Sequence, residues 1–124
     1  MIFGDAGSRE FDAAFRAMVG QIFPGETLTE VADDDPLFTI PNSLPNGAPS
    51  VFHHGGFRAL GIKQRGRWVV FYHPGSLKDL WRTGGSGANA GTIDYSYKLG
   101  VNIVYYAFSN YLELNRKKKA AAGN

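Results

Sequence analysis

Five side chains hold most of the chemistry this sequence can offer: Asp5, Ser8, His53, His54 and His73. A hydroxyl, an imidazole and a carboxylate are the parts of an activated nucleophile, and imidazoles with carboxylates also ligate metals. Asp5 and Ser8 bracket the turn Gly4-Asp5-Ala6-Gly7-Ser8, which follows the apolar pair Ile2-Phe3 and precedes an amphipathic stretch. A turn between a strand end and a helix start is the crevice position where open α/β sheets bind ligands and where free N–H groups attract anions. Helix capping alone accounts for Ser8, however, and a nucleophile elbow would need glycine two residues on, where this chain has Glu10. Serine hydrolysis is therefore disfavoured. Neighbours in an extended segment point to opposite sides, so His53 and His54 do not readily share one metal, and His73, at the end of the central strand, is the better third partner because strand ends converge on the crevice. The three histidines show neither HxH nor HxxxH spacing, and no metal site and no cofactor are assigned. Asp33-Asp34-Asp35 before Pro36 reads as a solvated helix start, its acids near the positive end, rather than a cation site.

The absence of cysteine excludes disulfides, thiolate metal sites and cysteine nucleophiles. The net charge of +2 conceals an acidic body, because Arg116, Lys117, Lys118 and Lys119 supply four of thirteen cations and leave nine against eleven acids. Nucleic-acid binding calls for a basic stripe on the folded face, interleaved with stacking aromatics; here the basicity is terminal and nucleic acid is not an expected partner. The apolar run at 99–108 is broken by Gly100 and Asn102 and is too short to span a membrane. The start, Met1-Ile2-Phe3-Gly4-Asp5, lacks the pattern of a secretory signal, so the default location is cytoplasmic.

These residues must be held by a small number of elements. Trp68-Val69-Val70-Phe71-Tyr72 is an unbroken β-branched and aromatic run, the pattern of a strand covered on both faces. The stretch 57–64 pairs with 67–73 as a hairpin around Arg65-Gly66. Phe11, Phe15, Met18, Val19 and Ile22 share one helical face, with Ser8 as cap and Pro24-Gly25 as stop. Residues 27–31 suit a short strand, and Pro41, Pro45, Gly47 and Pro49 mark a long crossing of the kind that often serves binding. Ser76-Leu77-Lys78-Asp79 has capping-box spacing and opens a short helix through Trp81. The glycine-rich stretch 84–91 reads as a mobile loop without a phosphate-loop pattern. Beyond it Tyr97, Val101, Val104, Phe108 and Leu112 form one helical stripe and Leu99, Ile103 and Tyr106 a second, which predicts a helix buried on much of its circumference, with Gly100 permitting close packing. The chain divides into one α/β domain at 1–115 and a basic flexible tail at 116–124.

Several segments together resemble a known family: Phe3-Gly4-Asp5; residues 11–24 ending in Ile-Phe-Pro; Asp35-Pro36-Leu37-Phe38; Gly61-Ile62 with Gly66-Arg67; Val70-Phe71-Tyr72 with 77–81; and Leu99-Gly100-Val101-Asn102-Ile103-Val104-Tyr105-Tyr106-Ala107. The sequence resembles the bacterial domain of unknown function numbered 4159, related to the class I glutamine amidotransferase-like, flavodoxin-like folds. The resemblance implies a partial flavodoxin-like open sheet with helices on both faces. Family members run longer on the N-terminal side, so this chain is expected either to be the C-terminal part of a larger domain, with one sheet edge exposed for pairing into a homo-oligomer, or to be a minimal core that folds alone. In the related amidotransferases a sharp strand-to-helix turn carries a cysteine nucleophile. The turn at Asp5 to Ser8 matches it by placement only, so glutaminase chemistry is not implied. The resulting expectation is a non-catalytic module that binds a small molecule or a protein, with Asp5, Ser8, His53, His54 and His73 as candidate ligand-binding residues. The alternative is a hydrolase or transferase built on Asp5, Ser8 and a histidine.

Overall fold

The structure, a computed structural model, describes residues 1–49, 52, 54–56, 58–82 and 85–123; His53, along with the hairpin's expected start at Phe57, lies outside the described residues. In chain order the elements are β1 (Ile2–Asp5), α1 (Arg9–Ile22), β2 (Thr29–Glu30), a 3-10 turn (Pro36–Phe38), β3 (Leu60–Gln64), β4 (Arg67–His73), α2 (Leu77–Trp81), a second 3-10 turn (Gly85–Gly87) and α3 (Ala90–Ala122). They build an open mixed sheet of four strands in the order β1-β4-β3-β2. β1 runs parallel to β4 with Ile2 opposite Val70 and Asp5 opposite His73, whereas β3 is antiparallel to both its neighbours.

The β3–β4 hairpin follows from its two turn residues. Arg65 at φ 54° and Gly66 at φ 76° both occupy the left-handed region, and that two-residue turn matches the natural twist of paired strands. Lys63 faces Trp68 but Ile62 faces Val70, so Val69 is an extra residue on β4. This bulge puts Trp68 and Phe71 on one face of the sheet, with Val70 and Tyr72 on the other.

Both faces are covered, as the apolar run requires: Val70, Phe71 and Tyr72 have no exposed surface. On one side α1 lays Phe15 and Val19 over Ile62, Val70 and Tyr72, with the Phe15 and Tyr72 rings stacked at 4.3 Å. Gly4 makes room for this, since a Cβ there would lie 2.4 Å from the Phe15 ring. On the other side α2 and α3 place Leu77, Leu80, Leu99 and Ile103 against Trp68 and Phe71, joined by Leu37 and Phe38 of the first 3-10 turn and Leu44 of the long crossing. Each buried side chain of this kind contributes about 1.5–3 kcal/mol.

α3 starts at Ala90, inside the stretch that its glycines mark as a loop, because Asn89 Oδ1 accepts from Thr92 N at 2.8 Å and caps it. It continues past position 115 through the basic residues to Ala122. Gly100 does admit close packing, but against the Trp81 ring of α2 rather than the sheet, a Cβ there falling 3.2 Å from the ring. Of the two stripes foreseen on this helix, only Leu99 and Ile103 are buried, with Tyr106 half-buried; Tyr97, Val101, Val104, Phe108 and Leu112 face outward.

Candidate functional site

Parallel pairing of β1 with β4 brings Asp5 and His73 side by side at the C-terminal ends of both strands. The histidine Nδ1 lies 3.4 Å from Asp5 Oδ1, and both side chains are nearly enclosed, at 3% and 10% exposed. His73 Nε2 sits 2.9 Å from the Pro49 carbonyl oxygen, which can only accept, so this nitrogen carries a proton. Nδ1 in turn accepts from the Gly75 N–H at 3.3 Å. The ring thus ties the end of the long crossing to the strand end.

Asp5 has a second engagement that no local pattern announces. Its Oδ1 accepts from Leu77 N at 2.7 Å and its Oδ2 from Lys78 N at 2.9 Å. A carboxylate from the first strand therefore caps a helix more than seventy residues later, satisfying two N–H groups that a helix start leaves unpaired. The capping box expected at Ser76 is corrected accordingly. Ser76 has φ 64° and makes no side-chain bond to the helix backbone; its hydroxyl donates instead to Asp79 Oδ2 at 2.5 Å. That bond is the main reason the Asp79 carboxyl is held below the usual carboxylate range, with Arg82 adding to it.

The remaining candidates have other partners. Ser8 is the N-cap of α1, its Oγ accepting from Phe11 N at 3.1 Å. His54 stacks on Phe52 with ring centres 6.5 Å apart. Among the described residues no three His, Asp or Glu side chains converge as a metal site would need. Asp35 is not solvated as the triple-aspartate pattern suggests: at 8% exposed it caps the 3-10 turn through Leu37 N and accepts from Trp68 Nε1 at 2.9 Å.

Two surface features complete the picture. A polar cleft of about 580 Å³ opens where the crossing meets the start of α3, lined by Asp33, Asn46, Arg58 and Tyr95 among others. Arg58 spans Asp33 at 2.7 Å and Glu30 at 3.6 Å across its rim. The Tyr95 hydroxyl accepts from Asn46 N at 3.2 Å, and burial pushes its pKa up. The proline- and glycine-rich crossing signalled this feature; nothing local in the sequence brings Arg58 and Tyr95 to it. The second feature is an apolar groove of about 740 Å³ on α3, lined by Trp81, Tyr97, Gly100, Val101, Val104, Tyr105 and Phe108. No helix among the described residues is long and apolar enough to cross a membrane.

A four-stranded open mixed sheet with α1 on one face and α2 and α3 on the other makes this an α/β protein. The chain belongs to the family described as Domain of unknown function (DUF4159), whose model matches residues 1–108. No curated protein and no solved structure matches it.

Proposed function

We propose that this chain is a non-catalytic interaction module of its family, and that the outward apolar face of α3 is its working surface. One observation supports this most directly: Val101, Val104, Phe108, Tyr111 and Leu112 are each more than half exposed on a single helix whose opposite side is already buried in the core. A helix apolar on both sides belongs between two layers, and only one layer is present among the described residues. The groups available for catalysis are meanwhile occupied: Asp5 by two helix N–H groups, His73 by Pro49 and Gly75, and Ser8 by its cap.

At dilution, where the surface is uncovered, the native protein should brighten an environment-sensitive apolar dye. A Val104→Asp/Phe108→Asp variant with an unchanged melting temperature should not. Dye binding that is absent, or that persists in the variant, overturns the proposal.

A second reading is favoured by the 3.4 Å approach of His73 to Asp5. In a hydrolase or transferase this pair would be the base and its orienting acid only in the other tautomer, with the ring proton on Nδ1 toward Asp5 and Nε2 released from the Pro49 carbonyl, and with Ser8 three residues on in the chain. Sustained ester or amide turnover abolished by Ser8→Ala or His73→Ala would establish it over the first. The parallel β1–β4 pair with helices on both faces also supports kinship with flavodoxin-like and glutamine amidotransferase-like sheets, the strand-to-helix turn at Asp5 standing in the place of their nucleophile turn. The polar cleft beside Arg58 and Tyr95 is the corresponding proposal for a small polar ligand.

A further inference from the structure

The outer stripe of α3 has a period that specifies its partner more closely than exposure alone. Tyr97, Val101, Val104, Phe108 and Tyr111 are separated by four, three, four and three residues, and all are exposed, Val104 at 56% and Phe108 at 62%. This is the 3.5-residue repeat of a coiled-coil seam, with Val101 and Phe108 at a positions and Tyr97, Val104 and Tyr111 at d. Extending the repeat puts Asp94 and Asn115 at a and Lys118 at d. Resting on the interaction-module reading above, we propose that the occupant of this face is α3 of a second copy of the chain, laid antiparallel.

The charges choose the direction. In a parallel pair each a or d residue faces its own counterpart, so Asp94 would meet Asp94 and Lys118 would meet Lys118, with the cationic ends at Arg116, Lys117, Lys118 and Lys119 side by side. In an antiparallel pair a faces d, and one register satisfies every position: Val104 against Phe108, Val101 against Tyr111, Tyr97 against Asn115, and Asp94 against Lys118. Asp94 is 68% exposed and Lys118 is exposed, so both can turn to a partner, Asp94 exchanging its helical neighbour Lys98 for the lysine across the seam. Slipping the register by one heptad either sets Asp94 against Tyr111 or sets Lys118 against Val101. Antiparallel helices also place opposite dipole ends together. Because the seam lies on the side of α3 away from Leu99 and Ile103, pairing leaves the core untouched.

The chain's lack of cysteine makes the test direct. Sedimentation velocity should show a dimer at tens of micromolar that becomes a monomer in Val104→Asp/Phe108→Asp, and the dye signal of the native protein should fall as concentration rises. Single variants Tyr97→Cys and Asn115→Cys, oxidised with a copper catalyst, should each give little cross-linked dimer, because like positions lie about 27 Å apart along the pair, far beyond disulfide reach. Mixed together they should give the disulfide-linked heterodimer. Cross-linking of Tyr97→Cys alone means a parallel pair and overturns the proposal. So does a dimer that survives the double aspartate variant, which would place the contact away from this face. A monomer at all concentrations whose dye binding is still abolished by the variant overturns self-pairing and leaves the interaction module standing; a monomer with no such dye binding removes both.

Discussion

Removing the Asp5 carboxylate should do more damage than its place near the chain start suggests. In Asp5→Ala, the Leu77 N–H loses a 2.7 Å bond and the Lys78 N–H one of 2.9 Å. Leu77 has no exposed surface, so its N–H cannot turn to water, and a buried donor left without an acceptor costs about 1–3 kcal/mol. The Lys78 N–H lies in a more exposed bond and recovers part of its loss by hydration. The anion's favourable position at a helix start adds about 0.3–1 kcal/mol. The expected total is about 2–4 kcal/mol, with Asp5→Asn, which keeps one acceptor oxygen, at roughly half of that. Urea unfolding followed by far-ultraviolet circular dichroism and by the fluorescence of Trp68 and Trp81 measures it, and the melting temperature of Asp5→Ala should fall by about 10 °C. Hydrogen exchange at the Leu77 amide should quicken selectively. An Asp5→Ala protein within about 0.5 kcal/mol of wild type would refute the argument that this carboxylate holds α2 in place.

Other substitutions probe other joints. Asn102, fully buried, donates to the Leu37 and Asn42 carbonyls at 3.0 and 2.9 Å and accepts from Asn42 N at 3.0 Å; Asn102→Leu strands these groups and should cost about 3 kcal/mol, with faster exchange at the Asn42 amide. Burial, then hydrogen bonding to Asp12, raises the Tyr72 phenol well above its ordinary value, so the neutral form is favoured in the folded chain. The associated stability is complete below pH 10, the unfolded phenol's range, and is lost as pH rises above it; Tyr72→Phe should flatten that alkaline decline, as read by urea midpoints between about pH 9 and 11. Asp79, held below its ordinary range chiefly by the Ser76 hydroxyl, works in the opposite sense. Its stabilising effect is present above about pH 4 and fades as acid protonates it, so Asp79→Asn should be less stable than wild type at pH 7 and converge on it in acid.

What the sequence discloses here is what short range decides. Ser8 caps α1, Arg65-Gly66 turns the hairpin, and the run at 68–72 is sealed on both sides, each because the physics lies within a few residues. The misread positions are those whose partner is remote. Ser76 has the spacing of a cap but yields that role to Asp5, and Asp35 looks like part of a solvated acidic run but binds the Trp68 indole. The doubled stripe on α3 was visible as periodicity; which stripe the core would take was not, because that depends on where the sheet ends. The cleft at Arg58 and Tyr95 assembles from segments dozens of residues apart, and only the proline-rich crossing hinted at it.

The bond from Asp5 to α2 also governs how this molecule comes together. A five-residue helix is far below the length of about 12–15 residues at which isolated helices become even marginal in water. It depends on partners outside itself, the Asp5 carboxylate and the core packing of Leu77 and Leu80 among them, so the ordering of β1 and of the seventies is coupled. Peeling β1 away in the finished molecule would release α2 in the same event, with the Leu77 and Leu80 packing going with it. The first strand and the second helix are thus one cooperative unit, and their loss should register as a single transition.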